Sequence, residues 1–244
     1  MRPIAKGNVP TDSKGEEIVF NKYARSRRYL IDRIGEYCSY CERKIQANLA
    51  VEHVKPKKTN SDLKLSWDNF LLGCTNCNST KGDKKVVLEE FVWPDMDPTF
   101  EYFSYDASGV VKVNENITDA DLRKRIEATI QLVGLQKRAP KKGSIAWKEA
   151  SDRRHEHRMK AYIDSREASD TYRKANKAVR ELMRGYIEMI VVADGFWTIW
   201  MEAFEEFPEV TEMLKNCIPG TRWEEAAEMG ESAEVVLDME GDGA

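Results

Sequence analysis

The sequence predicts an α+β fold over its first half and a mainly α-helical second half. Short strand-like segments lie between two CxxC pairs in residues 38–77, whereas apolar residues recur at helical spacing through most of the second half. We therefore divide the chain of 244 residues into a metal-stabilised domain at 1–114, with its core at 36–92, and a helical domain at 115–220. An acidic tail at 221–244 is expected to be mobile.

Four cysteines form the clearest motif of the chain. They occur as CSYC and CTNC, with 32 residues between the pairs, and comprise Cys38, Cys41, Cys74 and Cys77. Thiolates at this spacing bind zinc tetrahedrally, and two pairs make a closed structural site. The separation exceeds the roughly 15–20 residues of common zinc ribbons, so an insert lies between the pairs. The fifth cysteine, Cys217, is expected to be a buried thiol, and the absence of a disulfide framework indicates the cytoplasm.

Periodicity together with Gly and Pro predicts the elements of the first half. Residues 1–15 are polar and are expected to form an ordered arm or loop. A helix is predicted at 18–34, because apolar residues recur at helical spacing and Gly35 stands where such a helix would end. Strands are predicted at 43–45 and 49–54. Residues 67–72 are expected to form a buried stretch with a short helical turn. Residues 94–114 are expected to form a loop with a strand–turn–strand.

Helices account for the second half. One is predicted from a cap at 118–121 to about Val133, where Gly134 ends it. One or two long charged helices are expected over 144–190, with an apolar stripe that includes Trp147. The helix is predicted to continue through the aromatic residues of 196–207, as core or as a partner-docking surface, until Pro208 interrupts it.

Charge is distributed unevenly along the chain. Residues 1–184 hold 36 Lys and Arg against 27 Asp and Glu, whereas residues 185–244 hold 2 against 15. A positive body suits a polyanion such as nucleic acid, although solvated surface charge explains the excess equally well. A basic patch at 137–160 is a candidate phosphate-binding surface, with Arg153, Arg154 and Arg158 as its proposed contacts and His155 and His157 as exposed, inert neighbours. No apolar run reaches the roughly 20 residues of a membrane span, so no membrane association is predicted.

The insert between the cysteine pairs carries a second set of chemically suggestive residues. Glu52 and His53 end a predicted strand, Asn69 lies in the following loop, and Asn78 comes directly after the last cysteine. This arrangement resembles the HNH nuclease motif, whose fold is the ββα-metal finger. The last motif position is asparagine here instead of histidine, a variant that the family contains. A plain zinc module without chemistry is the alternative interpretation of the cysteines.

The resemblance implies a role for each of these residues. His53 would be the general base, because imidazole is available near neutral pH. Glu52 and Asn78 are hard oxygen donors suited to a catalytic Mg²⁺ or Mn²⁺. Asn69 would pin the loop and orient His53, and Lys81 would approach the phosphate. Further lysines are candidates for nucleic-acid contact: Lys55, Lys57, Lys58, Lys84 and Lys85. Neighbouring strand residues point to opposite faces, so Glu52 and His53 converge only if the strand is twisted or bulged.

A narrower resemblance covers more of the chain. The segments YCSYCE, VEHVKPK and WDNFLLGCTNCNSTKG are similar to the HNH nuclease subunits of Septu-type anti-phage systems, which are also found beside retrons. This resemblance implies a metal-dependent endonuclease that works with an ATPase partner of the ABC/SMC-like class. Its substrate would be DNA, with tRNA as the alternative, and a homodimer is left open. The competing hypothesis is a zinc-stabilised nucleic-acid-binding or assembly protein without turnover.

Overall fold

The computed structural model describes residues 1–138, 142–145 and 152–223. The seven α-helices in these ranges are α1 (Arg27–Ile34), α2 (Thr75–Lys81), α3 (Ala120–Val133), α4 (Arg154–Lys174), α5 (Lys177–Asp194), α6 (Trp197–Ala203) and α7 (Pro208–Cys217). The strands are β1 (Ala50–His53), β2 (Phe70–Gly73), β3 (Phe103–Tyr105) and β4 (Val111–Val113). They form two antiparallel pairs, β1 with β2 and β3 with β4.

The β1–β2 hairpin and the helix α2 that follows it form the centre of the first half. Ala50 pairs with Gly73 and His53 with Phe70 in a regular antiparallel register. The sequence predicted β1 but described 67–72 only as a buried stretch with a short helical turn. That turn exists at Trp67–Asn69, and β2 begins directly after it. Four consecutive buried residues carry no strand periodicity, so pairing with β1 decides the conformation of β2.

The helix predicted at 18–34 is shorter than expected. It begins with a 3₁₀ turn at Tyr23–Ser26 and becomes α-helical over Arg27–Ile34. The amide of Ile18 instead bonds to the carbonyl of Pro10 at 2.8 Å, so the residues before Tyr23 turn back onto the N-terminal arm. Gly35 ends the helix as predicted, with a φ of 74° that favours glycine.

The predicted β3–β4 hairpin and the helix after it are confirmed. The side chain of Asp119 caps α3 by accepting a hydrogen bond from the amide of Leu122 at 2.8 Å. Gly134 ends the helix in the left-handed conformation, with a φ of 70°. Ile126 and Val133 on α3 are buried in the same hydrophobic cluster as β1 and β2. This helix, assigned to the second domain from the sequence, therefore packs against the first, and the boundary at 114 stays a prediction.

The second hydrophobic cluster lies among α4 to α7. The long helical region splits at Ala175, and Asn176 caps α5 by accepting from the amide of Val179 at 3.1 Å. Contrary to the prediction, α5 does not continue through 196–207, because the helix breaks at Gly195. The backbone of Gly195 lies so close to Glu42 in the first half that a Cβ atom on residue 195 would be 2.0 Å from the carbonyl oxygen of Glu42. Pro208 begins α7 instead of interrupting a helix.

Two sequence predictions fall on residues that the structure does not describe. Trp147, predicted to belong to the apolar stripe, lies outside the described residues, as does all of the predicted acidic tail after Trp223. Within the described ranges, no helix combines the length and hydrophobicity needed to cross a bilayer.

Candidate functional site

The four predicted metal-binding cysteines come together in one buried cluster. Their Sγ atoms all lie within 4.8 Å of one another, and those of Cys41 and Cys74 are 3.8 Å apart. A tetrahedral zinc ion with Zn–S bonds of ~2.3 Å requires sulfur–sulfur distances of about 3.8 Å. The thiol cluster therefore fits a tetrahedral, closed, structural metal site.

The hairpin and α2 hold the cysteine pairs in position. Ser39, inside the first pair, donates its amide proton to the carbonyl of Leu72 on β2 at 2.8 Å. Cys74 is the N-cap of α2, and its sulfur accepts from the amide of Cys77 at 3.5 Å. An ion at the cluster would consequently join the turn that contains Cys38 and Cys41 to β2 and to α2.

Arg154 on α4 contacts the cysteine cluster directly. It is 2% exposed, and its guanidinium lies 2.9 Å from the sulfur of Cys77 while also donating to the carbonyl of Val133 at 2.9 Å. Arg158, 1% exposed, donates to the carbonyls of Gly109 and Leu135. The prediction that Arg154 and Arg158 contact phosphate is therefore wrong, because both guanidinium groups are buried and bonded inside the protein.

The histidine of the predicted motif, His53, is held as a neutral base. Its ring lies edge-on between Tyr23 and Phe70, with centroids 4.9 Å and 5.3 Å away. Nε2 lies 3.0 Å from the carbonyl oxygen of Lys64. Because a carbonyl oxygen can only accept, Nε2 carries the proton and Nδ1 keeps its lone pair. Burial lowers the pKa of His53 below its usual 6.5, and the charge of Lys57 contributes in the same direction.

Asn69 holds the loop that provides this carbonyl. Its side-chain oxygen accepts from the amide of Lys55 at 2.7 Å, and its side-chain nitrogen donates to the carbonyls of Lys55 and Leu63 at 3.0 Å and 3.2 Å. Leu63 directly precedes Lys64. Asn69 thus fixes the loop at both ends and positions His53 indirectly.

Lys81 has a different environment from the one predicted. It is 1% exposed, and its ammonium group lies 2.9 Å from Oε1 of Glu52 while donating to the carbonyl of His53 at 2.7 Å. A buried lysine with two partners is not available for the predicted phosphate contact. It instead fastens α2 to the end of β1 and holds the Glu52 carboxylate.

Glu52 and Asn78 flank Gly73. A Cβ atom placed on Gly73 would lie 3.1 Å from Cβ of Glu52 and 3.7 Å from Cβ of Asn78, so both side chains leave the backbone beside this glycine. Burial raises the pKa of Glu52, and the charge of Lys81 opposes that rise. One carboxylate and one amide oxygen suit Mg²⁺ or Mn²⁺, which keep several waters and bind few protein ligands. The donor set therefore fits such an ion.

The relation between Glu52 and His53 is only partly fixed by the backbone. The pairing of β1 with β2 is regular, without the bulge that would turn both side chains to one face. However, His53 is the last residue of β1, so the alternation of the strand ends at this residue. The positive charges of Lys57 and Lys81 lower the pKa of both side chains, so both side chains lie within range of the same two ammonium groups. Convergence of both side chains on a single phosphate stays a prediction.

Among the five lysines predicted to contact nucleic acid, Lys57 is the one that the structure places beside His53. Its ammonium group donates to the hydroxyl of Tyr23 at 3.0 Å and lies above that ring, beside His53. Lys58 forms an ion pair with Asp83, and Lys84 donates a hydrogen bond to the carbonyl of Leu132. Of the remaining two, Lys55 is half-buried and Lys85 is exposed. The structure thus brings Lys57 to the site, whereas Lys84 is directed towards α3.

Sequence reasoning missed three features of the site. The Lys64 carbonyl is a backbone group, which a side-chain pattern does not reveal. Tyr23, which lies within the helix predicted at 18–34, covers the His53 ring. Gly73, directly before Cys74, leaves the space between Glu52 and Asn78 open. A glycine at the end of a buried strand is the one signal that could have been noticed.

Comparison with known proteins agrees with this geometry. A family model described as HNH endonuclease matches residues 38–84. The chain contains an HNH domain. The match includes both cysteine pairs and all of Glu52, His53, Asn69 and Asn78, so the predicted family resemblance and the α+β fold class with a helical C-terminal region are confirmed.

A curated relative extends the comparison. The HNH-containing chain is 32% identical over 71 residues to "Septu protein PtuB" of Bacillus thuringiensis. The aligned region spans 28% of this chain and 28% of that relative. The similarity to PtuB therefore concerns less than a third of either chain, and not the whole protein.

Proposed function

We propose that this protein is a metal-dependent HNH endonuclease that hydrolyses phosphodiester bonds of nucleic acid. The observation that carries the proposal is the 3.0 Å contact between Nε2 of His53 and the carbonyl oxygen of Lys64. We assign the proton to Nε2, because the carbonyl oxygen can only accept, and Nδ1 then has its lone pair available. A protein that only bound nucleic acid would have no need of an oriented neutral imidazole beside a carboxylate–amide pair.

His53 is the general base of the reaction. Its Nδ1 accepts the proton of the attacking water, and the resulting positive charge is stabilised by the hydrogen bond from Nε2 to the Lys64 carbonyl. The lowered pKa keeps the ring neutral at physiological pH, so the base is present in its active form. Tyr23 and Phe70 restrict the ring to one plane.

Glu52 and Asn78 are the residues that hold the catalytic ion. A divalent cation there would neutralise charge on the scissile phosphate and stabilise the departing oxygen. Lys81 is a positioning residue: it holds the Glu52 carboxylate at one oxygen and fixes α2, which carries Asn78, to the strand that carries His53.

DNA is the proposed substrate, and tRNA is the alternative. The excess of positive charge over residues 1–184 supports a polyanionic substrate in general. Similarity to PtuB supports a role in a Septu-type anti-phage system, together with an ATPase partner of the PtuA type. The cytoplasm is the proposed compartment, because cysteine thiols stay reduced there.

Cleavage assays test the proposal directly. Purified full-length protein with zinc would be incubated with supercoiled plasmid and with total tRNA in Mg²⁺ and in Mn²⁺. We expect cleavage of plasmid DNA by the wild type and a loss of at least about 100-fold for His53→Ala, as is typical for removal of a general base. His157→Ala is the matched control, since this exposed histidine contacts Arg43 and not the site. Equal activity of wild type and His53→Ala would remove His53 from its role.

A binding protein without turnover is the second candidate. The observation in its favour is that Glu52 is 3% exposed and already paired with Lys81, so its charge is balanced without a metal ion. Mn²⁺ binding measured by electron paramagnetic resonance separates the two candidates. Binding that is lost in Asn78→Ala supports the nuclease, whereas absence of binding together with intact nucleic-acid affinity supports the second candidate.

A further inference from the structure

The segment that leads into α1 carries positive charge without an acidic residue beside it in the sequence. Residues 18–31 contain four Lys and Arg side chains and no Asp or Glu. All four are exposed, and they are Lys22, Arg25, Arg27 and Arg28. Arg27 and Arg28 lie in the first turn of α1, where a helix favours acidic side chains. The stability of the helix therefore does not explain these arginines.

Three of these arginines line an open hollow of about 540 Å³, which we call the arginine hollow. Arg25, Arg27 and Arg28 form its charged part, and Ala24 and Ile31 complete its lining. Within the part of the chain that the structure describes, none of the three arginines forms an ion pair with a carboxylate. A concave surface lined by three guanidinium groups suits an anion that presents several oxygen acceptors, such as a phosphate.

A second group of cations surrounds the hydroxyl of Tyr23. Lys57 donates to this hydroxyl at 3.0 Å, so the hydroxyl keeps its own proton for donation to another acceptor. This hydrogen bond and the charge of Lys57 lower the pKa of Tyr23. The charges of Lys64 and Arg27 lower it further, so both cations also lie within range of the hydroxyl. We call these four residues the Tyr23 subsite, and Arg27 joins it to the arginine hollow.

The Tyr23 subsite adjoins the histidine of the proposed active site. The Tyr23 ring lies edge-on to the His53 ring, with centroids 4.9 Å apart. Burial lowers the pKa of His53, and the charges of Lys57 and Lys64 act in the same direction. Phosphates follow one another at a rise of about 3.4 Å along each strand of DNA. A strand whose scissile phosphate lies at His53 would therefore bring a neighbouring phosphate to the cations around Tyr23.

We propose that the Tyr23 subsite binds the phosphate next to the scissile one, and that the arginine hollow binds the following phosphate of the same strand. The ligand is the phosphodiester backbone of nucleic acid, so these contacts position the substrate without reading its sequence. We take His53 as the place of cleavage, so the assignment of both subsites rests on the proposed function. The substrate site then extends to a helix that lies outside residues 38–84, the range matched by the HNH family model.

Fluorescence anisotropy with a labelled DNA duplex of about 30 base pairs, and with labelled tRNA, tests both subsites over a range of salt concentrations. The full-length zinc-containing protein is used without added Mg²⁺ or Mn²⁺, so that binding is measured separately from cleavage. Replacement of Arg25, Arg27 and Arg28 together by alanine should raise the Kd at least tenfold. The slope of log K against log salt should fall by about 2, because two phosphate contacts are lost and each contributes about 0.9.

Matched variants separate a specific site from a general loss of charge. Replacement of Arg173, Lys174 and Lys177 by alanine removes the same charge at the junction of α4 and α5, and all three residues are exposed. This junction lies about 30 Å along α4 from Arg154, which contacts the cysteine cluster. The slope should stay unchanged in this control. It should also stay unchanged when the three arginines of the hollow are replaced by lysine, because the charges remain.

Tyr23→Phe tests the Tyr23 subsite by itself. This variant keeps the ring beside His53 and removes the hydroxyl, so the Kd should rise about fivefold while the slope stays the same, since no charge is lost. A Kd equal to that of the wild type would remove the hydroxyl from the subsite.

The remaining outcomes separate this proposal from the proposed function. A wild type that binds neither probe, a triple alanine variant that binds like the wild type, or an equal loss of slope in the control at Arg173, Lys174 and Lys177 would overturn the two subsites. If His53→Ala abolishes cleavage while the arginine variant binds normally, the proposed function stands and the subsites alone are refuted. Undiminished cleavage by His53→Ala would refute the proposed function, and the phosphate contacts would then no longer be placed beside a cleavage site.

Discussion

Replacement of Lys81 by methionine gives the sharpest test of the site's structure. Both partners of the Lys81–Glu52 ion pair are at least 95% buried, since Lys81 is 1% and Glu52 3% exposed. Removing one partner of a buried pair leaves the other charge uncompensated and costs about 3–5 kcal/mol. We expect Lys81→Met to lower the free energy of unfolding by about this amount, a large fraction of the ~5–15 kcal/mol of a typical domain.

The dependence of this loss on pH follows from the pKa of Glu52. Burial raises that pKa above its unfolded value, so folding favours the protonated carboxyl, and this contribution disappears as the pH rises through the folded value. Without Lys81 the folded pKa rises further. The deficit of Lys81→Met should therefore be larger at pH 8 than at pH 6.

Urea unfolding followed by tryptophan fluorescence, in zinc-containing buffer at both pH values, measures the effect. Lys85→Met is the control, because this exposed lysine should change the free energy of unfolding by less than about 0.5 kcal/mol. Adding Glu52→Gln to Lys81→Met should recover most of the loss, since the buried charge is then removed as well. A loss below about 1 kcal/mol at pH 8, or a double variant no more stable than Lys81→Met, would refute the reasoning.

Three further predictions concern the base, its loop and the cysteine cluster. The acidic limb of the pH profile of kcat/KM should have its midpoint below 6.5, because burial lowers the pKa of His53; a midpoint at or above 6.5 contradicts this. Asn69→Ala should lower the free energy of unfolding by about 1–3 kcal/mol and also reduce cleavage, since three hydrogen bonds to the loop are lost; unchanged urea unfolding would count against its role. Arg154→Met should weaken zinc retention about 10- to 100-fold, because the guanidinium no longer balances the negative charge of the thiolates. Competition with a chromophoric chelator measures this effect. Equal zinc retention by the variant and the wild type would exclude a role of Arg154 in zinc binding.

Local signals made much of the fold predictable. The ends of two helices were foreseen because Gly35 and Gly134 adopt the positive φ that such ends favour, and Asp119 caps α3 as its residue type suggests. Strand β2 was not foreseen, because its four buried residues show no alternation and its conformation depends on pairing with β1. The break at Gly195 likewise depends on contact with Glu42, far away in the sequence.

The sequence by itself determined the cysteine framework and the identity of Glu52, His53, Asn69 and Asn78, because metal-ligand spacing and motif order are properties of residues close together in the chain. Only the tertiary structure decided how these groups are used. It buried Lys81 against Glu52, supplied the Lys64 carbonyl to His53 and turned Arg154 from solvent to the sulfur of Cys77. Burial and hydrogen-bond partners arise from contacts between distant segments, and those contacts exist only after the chain has folded.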